Sequence, residues 1–134
     1  MKTLLWLDDV RDPFEDDGKW LVFSPITPDE VIWVKTYDEF VTYIETNGLP
    51  TAICFDHDLG KDIALANIKK GMSKREAKRI RRNSTKSGKD CANWLVEYCM
   101  DNNKKLPLYN VQSANPTGKE NIDKLLKNFI EKCQ

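Results

Sequence analysis

Short apolar runs alternate along the chain with longer stretches in which apolar residues recur every three or four positions. Thr3 to Leu7, Val31 to Val34, Ala52 to Phe55 and Leu106 to Val111 are mostly apolar and are closed by polar residues. Continuous rather than alternating apolar character marks strands covered on both faces, as in a parallel sheet. Pro107 sits near the entrance of the fourth run, where a strand tolerates it. Trp20 to Phe23 is the only other run that would make a small strand, in a segment punctuated by Pro13, Gly18, Pro25 and Pro28.

The stretches between carry helix signals. Thr36 followed by Glu39 is a capping box ahead of Phe40, Val41 and Ile44, and Asn47-Gly48 is a stop signal. Ser73 with Glu76 caps a basic helix from Lys74 to Arg82. Ser87 and Asp90 cap a helix with apolar positions 91, 94, 95, 98 and 99. Thr117 and Glu120 cap the last helix, whose inner stripe is Ile122, Leu125, Leu126, Phe129, Ile130 and Cys133. Strands alternating with amphipathic helices predict an α/β fold, with about four parallel strands, right-handed crossovers and flanking helices. The crossover after the first strand lacks its helix, and residues 61–87 form a basic helical insertion.

The 134 residues are the size of one domain, spanning 1–134, and 40% hydrophobic with 31% charged residues is the composition of a soluble globular chain. No apolar run reaches the roughly 20 residues that cross a bilayer. Asp8-Asp9 ends the first apolar run too early for a secretory signal, so a cytoplasmic location and no membrane contact are expected. Cys54, Cys91, Cys99 and Cys133 are scattered through apolar patterns, do not supply a converging zinc set, and read as small buried hydrophobes. The zero net charge hides an asymmetry. Lys69 to Lys89 holds ten Lys or Arg and one acid, Glu76, leaving 11 basic and 20 acidic residues in the other 113. That segment reads either as a solvated face or as a flap that docks a phosphate-bearing nucleotide or RNA. No obligate protein partner is identifiable.

Chemistry gathers at strand ends. Parallel strands open their carboxyl ends onto one edge, where ligands bind at the switch in strand order. Three such ends carry Asp8-Asp9 with Arg11, Asp56-His57-Asp58, and Ser113-Ala114-Asn115-Pro116. Carboxylates from two strands meeting at one site repel, and a hard divalent cation such as Mg2+ resolves the repulsion. Asp9 and Asp56 are the expected direct ligands, with Asp8 behind them or acting through water. His57, the only histidine, lies between two acids and is either a proton donor to a leaving oxygen or an ordinary histidine. Strand alternation points it away from Asp56 and Asp58 unless the strand has ended. Ser113, Asn115, Arg11, Gly88 and Lys89 are the candidate phosphate-binding residues, helped by capped helix starts at the same edge.

Together, Leu7-Asp8-Asp9-Val10-Arg11-Asp12-Pro13, Phe55-Asp56-His57-Asp58-Leu59-Gly60, Ser87-Gly88-Lys89-Asp90 with Trp94, and Gln112-Ser113-Ala114-Asn115-Pro116 resemble the cyclic-phosphate processing receiver-like family. This is a branch of the response-regulator receiver fold found in bacteria and their phages. The resemblance covers most of the chain except 61–87. It implies a flavodoxin-like sheet in a bacterial cell or phage-infected host, and Mg2+ held by Asp8 and Asp9. Asp56 then matches the phosphoacceptor position of ordinary receivers, and Ser113 their hydroxyl-bearing switch residue. The implied activity is a metal-dependent phosphoesterase acting on cyclic phosphates of nucleotides or RNA ends, with Asp56, His57, Asp58 and Ser113 in catalytic roles. Gln112 stands where family members usually carry histidine, and no fifth strand brings the receiver lysine. A non-catalytic phosphoacceptor or nucleotide sensor, and an RNA-binding module using the basic insert, are the alternative readings.

Overall fold

The computed structural model describes residues 1–57, 59, 68–76, 86–112 and 116–133. Four strands, β1 (Thr3–Leu7), β2 (Glu30–Val34), β3 (Ala52–Phe55) and β4 (Leu108–Val111), form one sheet in the order β2-β1-β3-β4. Every pairing is parallel. The register sets Leu7 beside Val34 and Phe55, and Phe55 beside Val111. Thr3–Leu7 and Ala52–Phe55 become strands as read, and the second strand starts one residue early, at Glu30. The fourth begins at Leu108, after Pro107 rather than across it, because proline offers the ladder no N–H.

Three long helices stand among the described residues: α1 (Tyr37–Asn47), α2 (Gly88–Asp101) and α3 (Pro116–Cys133). Thr36 Oγ1 accepts from Glu39 N at 3.1 Å, and Glu39 Oε1 accepts from Lys35 N at 2.9 Å, so the box closes one residue upstream of the cap. Asp90 Oδ2 accepts from Ser87 N at 2.7 Å to close the start of α2. α3 begins at Pro116, so Thr117 lies inside its first turn and is not the cap. Proline suits that opening position because its missing N–H would have had no intrahelical partner. In the basic segment residues 74–76 are helical, and the remainder of the Lys74–Arg82 helix lies outside the described residues.

All three helices cover one face. Leu5, Leu7, Ile53, Phe55 and Val111 from the sheet pack with Phe40 and Ile44 of α1, Cys91, Leu95 and Cys99 of α2, and Ile122, Leu126 and Phe129 of α3. Ile130, assigned above to the inner stripe, is exposed. It is one position beyond Phe129, and a helix turns about 100° per residue, which carries it past the rim of the core.

The opposite face, made by Leu4, Trp6, Ala52 and Cys54, has no α-helix among the described residues. Trp20, Leu21 and Ile26 of the β1–β2 crossover pack on it. Residues Lys19–Phe23 there are a 3-10 helix, which corrects the expected small strand. The three-residue repeat brings Trp20 and Phe23 to one side, stacked with centroids 6.5 Å apart, an arrangement that strand alternation would not allow. Asn110 Nδ2 donates to Phe23 O at 2.6 Å, tying this cover to β4. No helix among the described residues is long and apolar enough to cross a membrane.

Cys54, Cys91 and Cys99 are buried free thiols, as their apolar settings foretold, and the side chain of Cys133 lies outside the described residues. Burial pushes the Cys54 thiol up to about 12 from its ordinary 9.0. Between those values the unfolded chain releases a proton that the folded chain keeps, so this group's contribution to stability is intact below pH 9 and is lost as pH rises toward 12. Cys54→Ala should therefore flatten the decline of unfolding free energy across this window by about 1.4 kcal/mol per pH unit, measured by denaturant titration from pH 9 upward.

Candidate functional site

The parallel ladder runs one residue past the strands. Asp8 N donates to Val34 O at 3.1 Å, Asp56 N to Leu7 O at 2.9 Å, and Gln112 N to Phe55 O at 2.9 Å. One row of the sheet, just beyond the last apolar residues, therefore reads Asp8, Asp56, Gln112 across β1, β3 and β4. In the order β2-β1-β3-β4 the chain goes to one side of β1 and then crosses to the other, so the switch falls between β1 and β3. This is the crevice in which open parallel sheets bind ligands.

Asp8, Asp9 and Asp56 converge there. Each offers a carboxylate oxygen within 4.8 Å of the others, and the residues are 0%, 6% and 1% exposed. Two unit charges at that separation repel by roughly 3–4 kcal/mol at an effective dielectric of about 20. Arg11 relieves part of this: its Nη1 donates to Asp8 Oδ2 at 3.1 Å. The other Asp8 oxygen accepts from Val10 N and Arg11 N, each at 2.9 Å. Asp8 thus turns back into its own loop and shapes it. Indole groups fix the same loop, with Trp33 Nε1 donating to Asp8 O at 2.7 Å and Trp6 Nε1 to Arg11 O at 2.9 Å.

An all-oxygen set of buried carboxylates is the donor chemistry of a hard divalent cation. Asp8, Asp9 and Asp56 each offer an oxygen to such an ion. Among the described residues this is the one grouping of three or more acidic, histidine or cysteine side chains able to hold a metal.

Around the cluster, the remaining candidates divide. β3 ends at Phe55, so His57 is free of strand alternation, and its ring packs on α3. A Cβ placed at Gly118 would overlap His57 Cγ and lie 2.6 Å from Nδ1. Gly88 performs the same service for β3, since a Cβ there would overlap the Asp56 carbonyl oxygen. Gly88 N donates to His57 O at 2.8 Å, so that amide is already engaged. Lys89 is exposed at the start of α2. Arg11, placed among the phosphate ligands by the sequence, is clamped to Asp8 and has its guanidinium 5.5 Å from the Trp20 ring centroid. Asp58, Ser113 and Asn115 lie outside the described residues.

Sequence reasoning treated Gln112 only as a departure from the family pattern. The structure buries it in the row beside Asp56, with Nε2 donating to Leu7 O at 3.2 Å. A polar residue directly after a buried apolar strand was the available signal. The packing roles of Gly88 and Gly118 had no local signal, because each is defined by a partner distant in sequence.

The family model of the cyclic-phosphate processing receiver domain matches residues 3–128, from the first strand into the last helix. No curated protein and no solved structure gives a significant match.

Glycine to alanine on a helix normally stabilises by up to about 1 kcal/mol. At Gly88 the sign should reverse. Gly88→Ala must push α2 away from the Asp56 peptide, and a loss of about 2–3 kcal/mol in urea unfolding is expected, with unchanged or increased stability as the contrary result.

Proposed function

Because the chain belongs to the cyclic-phosphate processing receiver domain family, we propose that it is a Mg2+-dependent phosphoesterase that opens a cyclic phosphate on a nucleotide or RNA end. The observation that carries this reading is the buried convergence of Asp8, Asp9 and Asp56 at the switch of the sheet. Bound there, Mg2+ supplies charge neutralisation and Lewis-acid polarisation of a phosphoryl oxygen.

The chain's own residues account for the rest. Asp9 and Asp56 hold the cation, and Asp8, braced by Arg11, keeps the loop bearing Asp9 in place. Asp56 is the group nearest the reacting phosphate, placed to orient a water or to attack as a nucleophile. His57, seated on the first turn of α3, donates a proton to the leaving oxygen. Asp58 assists there. Ser113 and Asn115 donate hydrogen bonds to phosphoryl oxygens, Gly88 holds α2 against the site, and Lys89 adds a cation at the rim. Net, one water adds across one P–O ester bond and the ring opens to a phosphomonoester. The exposed cations Lys69, Lys70, Lys74, Arg75 and Lys86 extend the basic character around an RNA or nucleotide substrate.

Receiver-type phosphoacceptance is the second reading, favoured by the place of Asp56 at the end of β3. Labelling with acetyl phosphate would leave a stable adduct on Asp56 under that reading. The phosphoesterase reading predicts hydrolysis of cyclic dinucleotides or 2′,3′-cyclic phosphates that needs Mg2+ and falls by about two to three orders of magnitude in Asp56→Asn. Equal rates in the two proteins, or rates indifferent to chelation, would contradict it.

A further inference from the structure

Gln112 has two amide atoms with different fates. Nε2 donates to Leu7 O at 3.2 Å, which fixes the orientation of the group, since the reverse would set two acceptors face to face. Oε1 is then left buried, with no hydrogen-bond donor among the described residues, on a side chain only 5% exposed. A buried acceptor left in that state costs about 1–3 kcal/mol. A purely structural glutamine would gain by turning that oxygen to a donor or to bulk water.

Its position says what the oxygen is for. Leu7 O accepts from both Gln112 Nε2 and Asp56 N, the latter at 2.9 Å. The carboxamide therefore reaches from β4 across the end of β3 and lies against the Asp56 peptide, beside the acidic cluster. An acceptor there repels phosphoryl oxygens, as the neighbouring carboxylates do. It selects a group that brings a hydrogen.

We propose that Gln112 is a positioning residue whose Oε1 holds an O–H group, from a water or from a substrate hydroxyl, beside Asp56. A carboxamide does not ionise near neutrality, so this role is orientation and not acid–base catalysis. The proposal rests on the phosphoesterase reading for its consequence in catalysis, while the occupancy of Oε1 can be read without turnover.

The direct test is a high-resolution crystal structure of the full chain with Mg2+ and a 3′,5′-cyclic dinucleotide. A water or sugar hydroxyl oxygen about 2.7–3.2 Å from Oε1 is expected. Kinetics of Gln112→Met, similar in length but with only a weak sulfur acceptor in place of the amide, should show kcat lowered about ten- to a hundredfold with KM within about twofold. Loss on both the ribose substrate and its 2′-deoxy analogue identifies water; loss on the ribose substrate alone identifies the hydroxyl. Oε1 bonded to a donor of the chain itself, or Gln112→Met turning over like wild type, would overturn the proposal. Should wild type hydrolyse nothing, the phosphoesterase reading fails, and the crystal still decides what Oε1 binds without needing a variant.

Discussion

The peptide ladder that continues past Leu7, Phe55 and Val111 is the constraint on which the site depends. Three backbone hydrogen bonds, from Asp8, Asp56 and Gln112, carry the sheet one residue beyond its apolar strands and set polar side chains in a row where a sheet normally ends in solvent. Leu7 O is the focal acceptor, taking both the Asp56 amide and the Gln112 carboxamide. The strand order thus brings Asp8, Asp9 and Asp56 to one edge of the sheet, a buried grouping that could hold a metal ion.

The rest of the fold braces that row unevenly. On one face three helices bury a continuous core against Leu5, Leu7, Ile53, Phe55 and Val111. On the other, the irregular crossover from β1 covers Trp6 and Cys54 with Trp20, Leu21 and Ile26. The missing crossover helix is not idle in consequence: the same segment supplies Arg11 to Asp8 and places Trp20 under the guanidinium. Close approaches at Gly88 and Gly118 bring the first turns of α2 and α3 onto the Asp56-His57 turn. A loop that would otherwise be free to move is thereby pressed between two helices.

Much of this was legible in the residues, for identifiable reasons. Strands buried on both faces write themselves as unbroken apolar runs, and Ala52–Phe55 was bounded correctly at both ends. The Asp8-Asp9 and Asp56 meeting followed from parallel topology alone. Trp20 to Phe23 misled because four apolar residues satisfy a strand and a 3-10 turn equally, and only the stacking of Trp20 on Phe23 decides. The Arg11–Asp8 ion pair was hidden because its distance depends on how tightly the loop turns, which the two Asp8 Oδ1 hydrogen bonds set. Gln112 and the two glycines were hidden because their partners lie about 30 to 105 positions away in sequence.

Anomalous diffraction from a crystal soaked in Mn2+ as a stand-in for Mg2+ tests the central claim most directly. The account predicts a single strong peak about 2.0–2.3 Å from carboxylate oxygens of Asp9 and Asp56, lost in Asp56→Asn. A peak elsewhere on the chain with none at the strand ends, under conditions where the ion is well above its dissociation constant, would contradict it.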